Sequence, residues 1–317
     1  MSSDDHGLLP AELAEAARPA IAEAKGKPAR DAARILAEAG LTGVCAQEDD
    51  GGMALGLPFS LAIAEEAGAG QLRFPLLDQI LLAQAFAGQD IAGRIAAGEA
   101  LGLIGWEGAR DGLLRLSDDC DCDVVLVPTG QGADLIERAG LTGTPTPLLD
   151  PDAPQVWLDV GAARKIGSLT LDQMADLRRA GEALYGGFVT GAAANALALS
   201  SDYLAARVQF GRPLSSKQAV RHHLARMKLL LEMSRAALTR SLARDELGNP
   251  RDTRPAFLGA VGNAVWTLEK AIHLHGGMGF TWEVPLHYSL RDIRKIETAF
   301  GAGRLARQVA QDFIRAA

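Results

Sequence analysis

Tyr203-Leu-Ala-Ala-Arg207-Val-Gln-Phe210-Gly-Arg-Pro-Leu-Ser-Ser-Lys217-Gln-Ala-Val220 sits at the break between two long helical patterns. Upstream, the pattern runs from Leu171 to about Arg207, with Asp172 placed to cap it. A glycine directly after an aromatic stops that helix, and Ser215 is a candidate cap for the next. Downstream, Val220, Leu224, Met227, Leu231 and Leu238 form an apolar stripe at helical spacing, which predicts a helix to about Gly248. The doublet Leu229–Leu230 widens the stripe and implies burial on two sides, as in a bundle or an oligomer core. Helical patterns over 254–275 and 301–316 add a third and a fourth member. Four such helices predict an antiparallel bundle.

Residues 10–98 also read as helices with short breaks. Pro10 opens a run of strong helix formers, Ala29–Glu38 repeats the pattern and stops at Gly40, and helices follow over Leu57–Ala69 and Leu76–Gly88. Between them Gln47-Glu-Asp-Asp-Gly-Gly52 is a turn. Residues 99–168 differ, with short apolar runs such as Leu101–Trp106, Cys122–Pro128 and Gln155–Val160. These are set among Pro128, Pro145, Pro147, Pro151 and Pro154, and they predict a small, turn-rich β domain. The expected fold is mainly α: an N-terminal helical domain (1–98), a reduced middle β domain (99–168) and a C-terminal four-helix bundle (169–317).

Composition narrows the function. The 317 residues are 48% hydrophobic and 22% charged, ordinary for a globular chain, and the net charge is −7. No basic excess exists to neutralise nucleic-acid phosphates. Cys45, Cys120 and Cys122 form no CxxC pair and no even framework, which suits a reducing compartment. The acidic start MSSDDHGLLP is unlike a signal peptide, and no run of 18 apolar residues is evident, so a cytoplasmic protein without a membrane span is expected.

Two stretches could carry chemistry. Arg207 in a last helical turn can satisfy helix-end carbonyls, or it can form a fork for phosphate beside the flat surface of Phe210. In His273-Leu-His275-Gly-Gly-Met-Gly-Phe280, three glycines in four positions allow close backbone approach to a ligand, or simply a tight helix end. The histidines are two apart and fall on different helix faces, so no metal pair is expected. Neither GxGxxG nor GxxxxGK[ST] occurs.

The segment 203–220 resembles the acyl-CoA dehydrogenase pattern Y-x-x-x-R-x-x-F-G-x-x-[IL]-x-x-x-Q. Ala271–Thr281 resembles that family's A-x-Q-x-x-G-G-x-G-[FY], and Leu36–Val44, the Gln47–Gly52 turn and Ala64-Glu-Glu-Ala-Gly68 resemble its first-domain motifs in order. The resemblance covers about residues 30–70 and 175–315. It implies the helix–β–bundle fold just described, with FAD lying between subunits. Carried over residue by residue, cofactor contacts fall on Arg207, Phe210, Gln218, Gly276 and Gly277, with His273 standing where the family has glutamine.

The departures are equally informative. Desaturation at Cα–Cβ of a thioester needs a carboxylate to take the α-proton and a flavin to take the hydride. The family's Y-E-G-[TS] turn reads Ala299-Phe-Gly-Ala here, so Phe300 occupies the position of the base. The earlier position some members use is Gly181. Glu182 lies one residue along, rotated about 100° on a helix, and Glu297 lies one turn before Phe300. Either is expected to be a solvated or ion-paired surface carboxylate. The T-E-P-x-[AG]-G-S-D segment is missing, Trp106-Glu-Gly-Ala-Arg-Asp-Gly112 taking its place, and the D-x-x-R that meets CoA reads Arg179-Ala-Gly-Glu182. The resemblance therefore implies an FAD-dependent acyl-CoA dehydrogenase subunit that completes the flavin site of a homologous partner, as an α2β2 heteromer. The implied substrate is an acyl-CoA such as a steroid side-chain thioester. The alternatives are a homo-oligomeric enzyme with Glu297 or Glu182 as base, and a flavin-free assembly subunit.

Overall fold

The computed structural model describes residues 7–116, 121–146 and 154–316; Cys120, Pro147, Pro151 and residues 1–6 lie outside them. The chain runs helices, strands, helices. First come α1 (Pro10–Ala24), α2 (Ala29–Glu38), α3 (Leu57–Ala69), α4 (Leu76–Ala85) and α5 (Asp90–Ala96). Strands β1 (Gly102–Ile104), β2 (Leu113–Leu116), β3 (Val124–Thr129), β4 (Gly132–Glu137), β5 (Gly143–Thr146), β6 (Gln155–Asp159) and β7 (Lys165–Leu169) follow. The last part is α6 (Leu171–Ala206), the hairpin β8 (Val208–Gln209) and β9 (Arg212–Pro213), α7 (Gln218–Leu242), α8 (Arg254–Leu274), α9 (Leu286–Ala299) and α10 (Ala302–Ala316).

The strands form a four-stranded sheet in the order β1-β3-β4-β7 and a three-stranded sheet β2-β6-β5. Among the described residues only β1 and β3 pair in parallel, Gly102 opposite Val124. The free edge of β1 is closed by side chains of α4. Gln79 donates from Nε2 to Gly102 O (2.7 Å) and accepts from Gly102 N (2.9 Å), as a neighbouring strand would. Asp78 Oδ2 accepts from Ile104 N at 3.0 Å.

Several boundaries depart from the sequence reading. Thr170, not Asp172, caps α6: its side chain accepts from Gln173 N, and Gln173 reaches back in a capping box. Ser215 caps nothing. It lies in a 3-10 turn, and α7 begins at Gln218 and stops at Leu242. Helices α5 and α9 were not anticipated, nor were β2, β4, β5 and β7. Helix α6 is long and apolar enough to cross a membrane by length and composition alone, but 61% of its most apolar stretch is buried inside the fold, as in a core helix.

Close packing positions α6. A Cβ on Gly191 would overlap the backbone carbonyl of Glu65, and one on Gly68 that of Phe188, so α3 and α6 cross at backbone distance. The glutamates of the Ala64–Gly68 motif tie this crossing to its surroundings. Glu66 accepts both arms of Arg18 from α1 (2.7 and 2.8 Å), and Glu65 accepts from Arg235 Nε of α7 (2.8 Å). One hydrophobic core runs from Ala17 to Leu305 through all three regions. Cys45 is part of it, its thiol 2.9 Å from Ser60 Oγ and pushed up to about 11 by burial, which makes it unreactive.

Candidate functional site

Helix α6 ends at Ala206, and the chain turns at once through the two-residue hairpin loop Phe210–Gly211. Both residues have positive φ, +55° and +76°, the requirement of a type I′ turn. Gly211 adopts it freely. Phe210 does not, because a Cβ in this region crowds the following carbonyl. The ring is 91% exposed, with Lys217 Nζ 5.1 Å from its centroid.

At the same bundle end α8 stops at Leu274 and continues into the glycine turn. Gly276 has φ +61°, and Gly279 packs so tightly on the Ile272 carbonyl that no Cβ would fit. Tyr203 of α6 joins the two segments: its ring stacks on His275 at 4.5 Å and its hydroxyl reaches His275 O at 3.4 Å. His275 itself is buried and engaged with Ala271 O, whereas His273 is exposed. Arg207, Phe210, Gln218, His273, Gly276 and Gly277 are thus all exposed at one end of the bundle. The side chains of Arg207, Gln218 and His273 make no hydrogen bond or ion pair among the described residues, so Arg207 does not spend its guanidinium on helix-end carbonyls. Phe280 (81% exposed) and Trp282 (64%) enlarge the apolar part of this surface.

The position of the missing base is the opposite in character. Phe300 caps the C-terminus of α9 and is 1% exposed. Its ring stacks on Trp106 at 4.5 Å and meets Phe257 at 4.9 Å and Tyr185 at 5.2 Å. Gly181, the other position where a base could stand, lies against the same Trp106 ring, and a Cβ there would overlap it. Both positions are therefore filled by one aromatic plug. Arg178 holds it from below by donating to Trp106 O.

The two remaining carboxylates are placed elsewhere. Glu182 is 2% exposed, not the surface group expected from sequence, and accepts from Thr253 Oγ1 at 2.5 Å; burial raises its pKa. Glu297 is ion-paired with Arg294 at 2.7 Å. Neither lines the cavity beside Phe300.

That cavity, about 130 Å³, lies between α4, β1, α6 and α9. Its carboxyl groups are Asp292, 3.6 Å from Arg73, and Asp78, which the sequence reading missed. Asp78 accepts from Tyr185 Oη at 2.8 Å and from Ile104 N. The Trp106 indole N–H lies near enough to lower its pKa without making a regular hydrogen bond. Burial outweighs these contacts and pushes Asp78 up to about 7.

A mainly helical chain with a small central sheet, a bundle and an exposed arginine–aromatic–glycine end has the layout of the acyl-CoA dehydrogenase fold. Residues 180–314 match the family described as acyl-CoA dehydrogenase, C-terminal domain. Among curated relatives, acyl-CoA dehydrogenase IpdE2 of Mycolicibacterium smegmatis is 28% identical over 259 residues, 79% of this chain and 77% of that one. Acyl-CoA dehydrogenase FadE28 of Mycobacterium tuberculosis is 27% identical over 219 residues, 67% of this chain and 60% of that one. Among solved structures, a variant of the Tcur3481-Tcur3483 steroid ACAD superposes with a TM-score of 0.83 at 23% identity, covering 97% of this chain and 98% of that one. The ChsE4-ChsE5 complex from Mycobacterium tuberculosis gives 0.79 at 20% identity, covering 99% and 98%.

Proposed function

We propose that this chain is one subunit of an FAD-dependent acyl-CoA dehydrogenase and that it completes the flavin site of a homologous partner while lacking a catalytic base of its own. The observation that carries the reading is the contrast within one molecule. The position of the base is a buried aromatic plug, and the other end of the bundle presents Arg207, Gln218 and His273 with their polar groups unspent.

The exposed end fits the phosphate-bearing part of FAD. Arg207 supplies a planar guanidinium for pyrophosphate, Phe210 a flat apolar face, Gln218 and His273 further hydrogen-bonding groups, and Gly276–Gly277 a backbone without Cβ atoms in the way. When bound, FAD supplies the hydride acceptor for Cα–Cβ desaturation of a CoA thioester. This chain's part is to bind and orient it; Phe300 accepts no proton, so the α-proton goes to a carboxylate of the partner. An α2β2 assembly satisfies both chains. A steroid side-chain thioester is the substrate class we favour, supported by the fold shared with the Tcur3481-Tcur3483 steroid ACAD.

The test is co-expression with a homologous acyl-CoA dehydrogenase chain that carries the glutamate base. The expected result is a yellow, active complex and a colourless, inactive lone chain, with Arg207→Ala lowering the flavin content of the complex at least tenfold. A lone chain that binds FAD and desaturates a CoA ester overturns the proposal.

A further inference from the structure

The two halves of the exposed bundle end are built differently. Arg207 belongs to a segment that fixes itself. Its amide donates to Tyr203 O at 2.9 Å, its carbonyl accepts from Leu214 N at 2.8 Å, and Val208 and Gln209 pair with Pro213 and Arg212 across the hairpin. The glycine turn has less of its own to hold it. Gly276 and Gly277 carry no side chain, a Cβ on either would meet open space, and glycine leaves the backbone its widest choice of dihedrals. The turn is therefore placed by its ends. Gly279 rests on the Ile272 carbonyl of α8 at one end, and His275 stands at the other.

His275 is where α6 takes hold of the turn. Its side chain is buried, with Nδ1 2.8 Å from Ala271 O. The ring lies face to face with Tyr203, centroids 4.5 Å apart and planes 19° from parallel. The Tyr203 hydroxyl reaches His275 O, the carbonyl of the peptide bond that leads into Gly276, at 3.4 Å. That distance is long for an O–H donor, so the ring contact carries most of the coupling. Arg207 lies one helical turn beyond Tyr203, on the same face of the chain. The stack is thus a fixed point shared by both segments, one turn of helix from the guanidinium and one peptide bond from the glycines.

We propose that Tyr203 is a positioning residue for the flavin: through His275 it sets the distance between the Arg207 guanidinium and the Gly276–Gly277 backbone, so that both reach one ligand at once. The inference rests on the flavin reading given above. A ligand held by two elements loses affinity when their spacing changes, because each contact is then made at the expense of the other.

The test uses complexes with a homologous chain that carries the glutamate base, and it reads the dissociation constant of FAD by flavin fluorescence. Urea unfolding of the lone chain checks that each variant is folded. Tyr203→Leu weakens FAD binding about tenfold, the worth of one aromatic pair, whereas Tyr203→Phe keeps the ring and stays within about twofold of the unaltered complex. In the Arg207→Ala background, Tyr203→Leu weakens binding by less than about threefold, because the spacing it sets no longer matters. A residue that only stabilised the fold would add its full tenfold there. Undiminished affinity for Tyr203→Leu, a Tyr203→Phe complex as weak as Tyr203→Leu, or full additivity with Arg207→Ala overturns the proposal. Where Tyr203→Leu does not fold, Tyr203→Met, unbranched and adaptable in packing, is read in the same way. Arg207→Ala without effect on FAD affinity overturns the flavin reading and this inference with it. A loss with Arg207→Ala and none with Tyr203→Leu overturns this inference alone.

Discussion

Replacing Phe300 by alanine separates a structural plug from a displaced active-site residue. The ring is fully buried and touches three aromatic neighbours, so its transfer out of water is worth about 1.5–3 kcal/mol. The space it vacates cannot close easily. Trp106 is held between Gly181 and the Arg178 contact, and the void joins the 130 Å³ cavity already present. At about 24 cal/mol per Å³, an added void of roughly 100 Å³ costs about 2.4 kcal/mol more. The expected loss is therefore about 4–5 kcal/mol, the upper part of the range for a buried Phe→Ala change. Urea unfolding followed by circular dichroism measures it, as a lower midpoint at unchanged slope. Turnover per folded complex with the partner subunit should be unchanged. A loss below about 1 kcal/mol, or a complex that folds normally but stops turning over, refutes the reasoning, because Phe300 would then serve the reaction and not the fold.

The Asp78 carboxyl is neutral more often in the folded chain, about 7, than unfolded, about 3.9. Its contribution to stability is thus complete below pH 4 and lost as pH rises through 7, about 4 kcal/mol at 1.36 kcal/mol per pH unit. Asp78→Asn should flatten the stability profile between pH 4 and 8 in the same urea assay, and an unaltered slope would show that burial does not control this group. Gly191→Ala pushes a methyl into the Glu65 carbonyl and should cost about 1–3 kcal/mol; no loss of thermal stability would mean that α3 and α6 can move apart. Phe210→Gly removes a left-handed penalty of about 1–2 kcal/mol, part of it returned as glycine's entropy. The lone chain should be as stable or slightly more so, whereas the complex should retain less flavin on gel filtration.

The parts of the fold legible in the sequence are those whose signal is local. Leu57–Ala69 and the start of α8 at Arg254 follow from periodicity and helix stops. Helix α9 escaped because its buried residues, Leu286, Ser289, Ile293 and Ile296, are separated by charges and follow a proline. Strands β4 and β7 escaped because neither is a continuous apolar run; each is completed by its neighbour, Ala133 opposite Leu169. The exposed bundle end was readable because motif residues of both segments lie at helix ends, where their types have few structural uses. The plug was not, since Trp106, Gly181 and Phe300 are far apart in sequence and their relation is purely one of packing. Asp78 was hidden for a similar reason: within Leu76–Ala85 it reads as one polar residue of a helix, and only the edge of β1 and Tyr185 reveal what it does.

The two ends of this molecule put their free energy to different uses. Around Phe300 the chain satisfies itself: rings that could face a ligand face each other, and the glycine at 181 exists to admit Trp106. Around Phe210 it does the reverse. A bulky residue held at φ +55° with 91% of its surface in water costs backbone strain and apolar exposure together, and the nearby Arg207, Gln218 and His273 gain nothing from the chain that carries them. Strain of this sort persists where the surroundings over-determine it. Here the surroundings are a two-residue turn closed by the pairing of Val208 with Pro213 and Gln209 with Arg212 and by Leu214 N donating to Arg207 O, so the loop is preorganised before anything binds. A surface preset in this way loses little entropy on docking, and a second polypeptide with bound FAD would recover both costs at once. The same docking would leave the plug untouched, so on the reading proposed above the chain would serve a reaction in which it moves no proton.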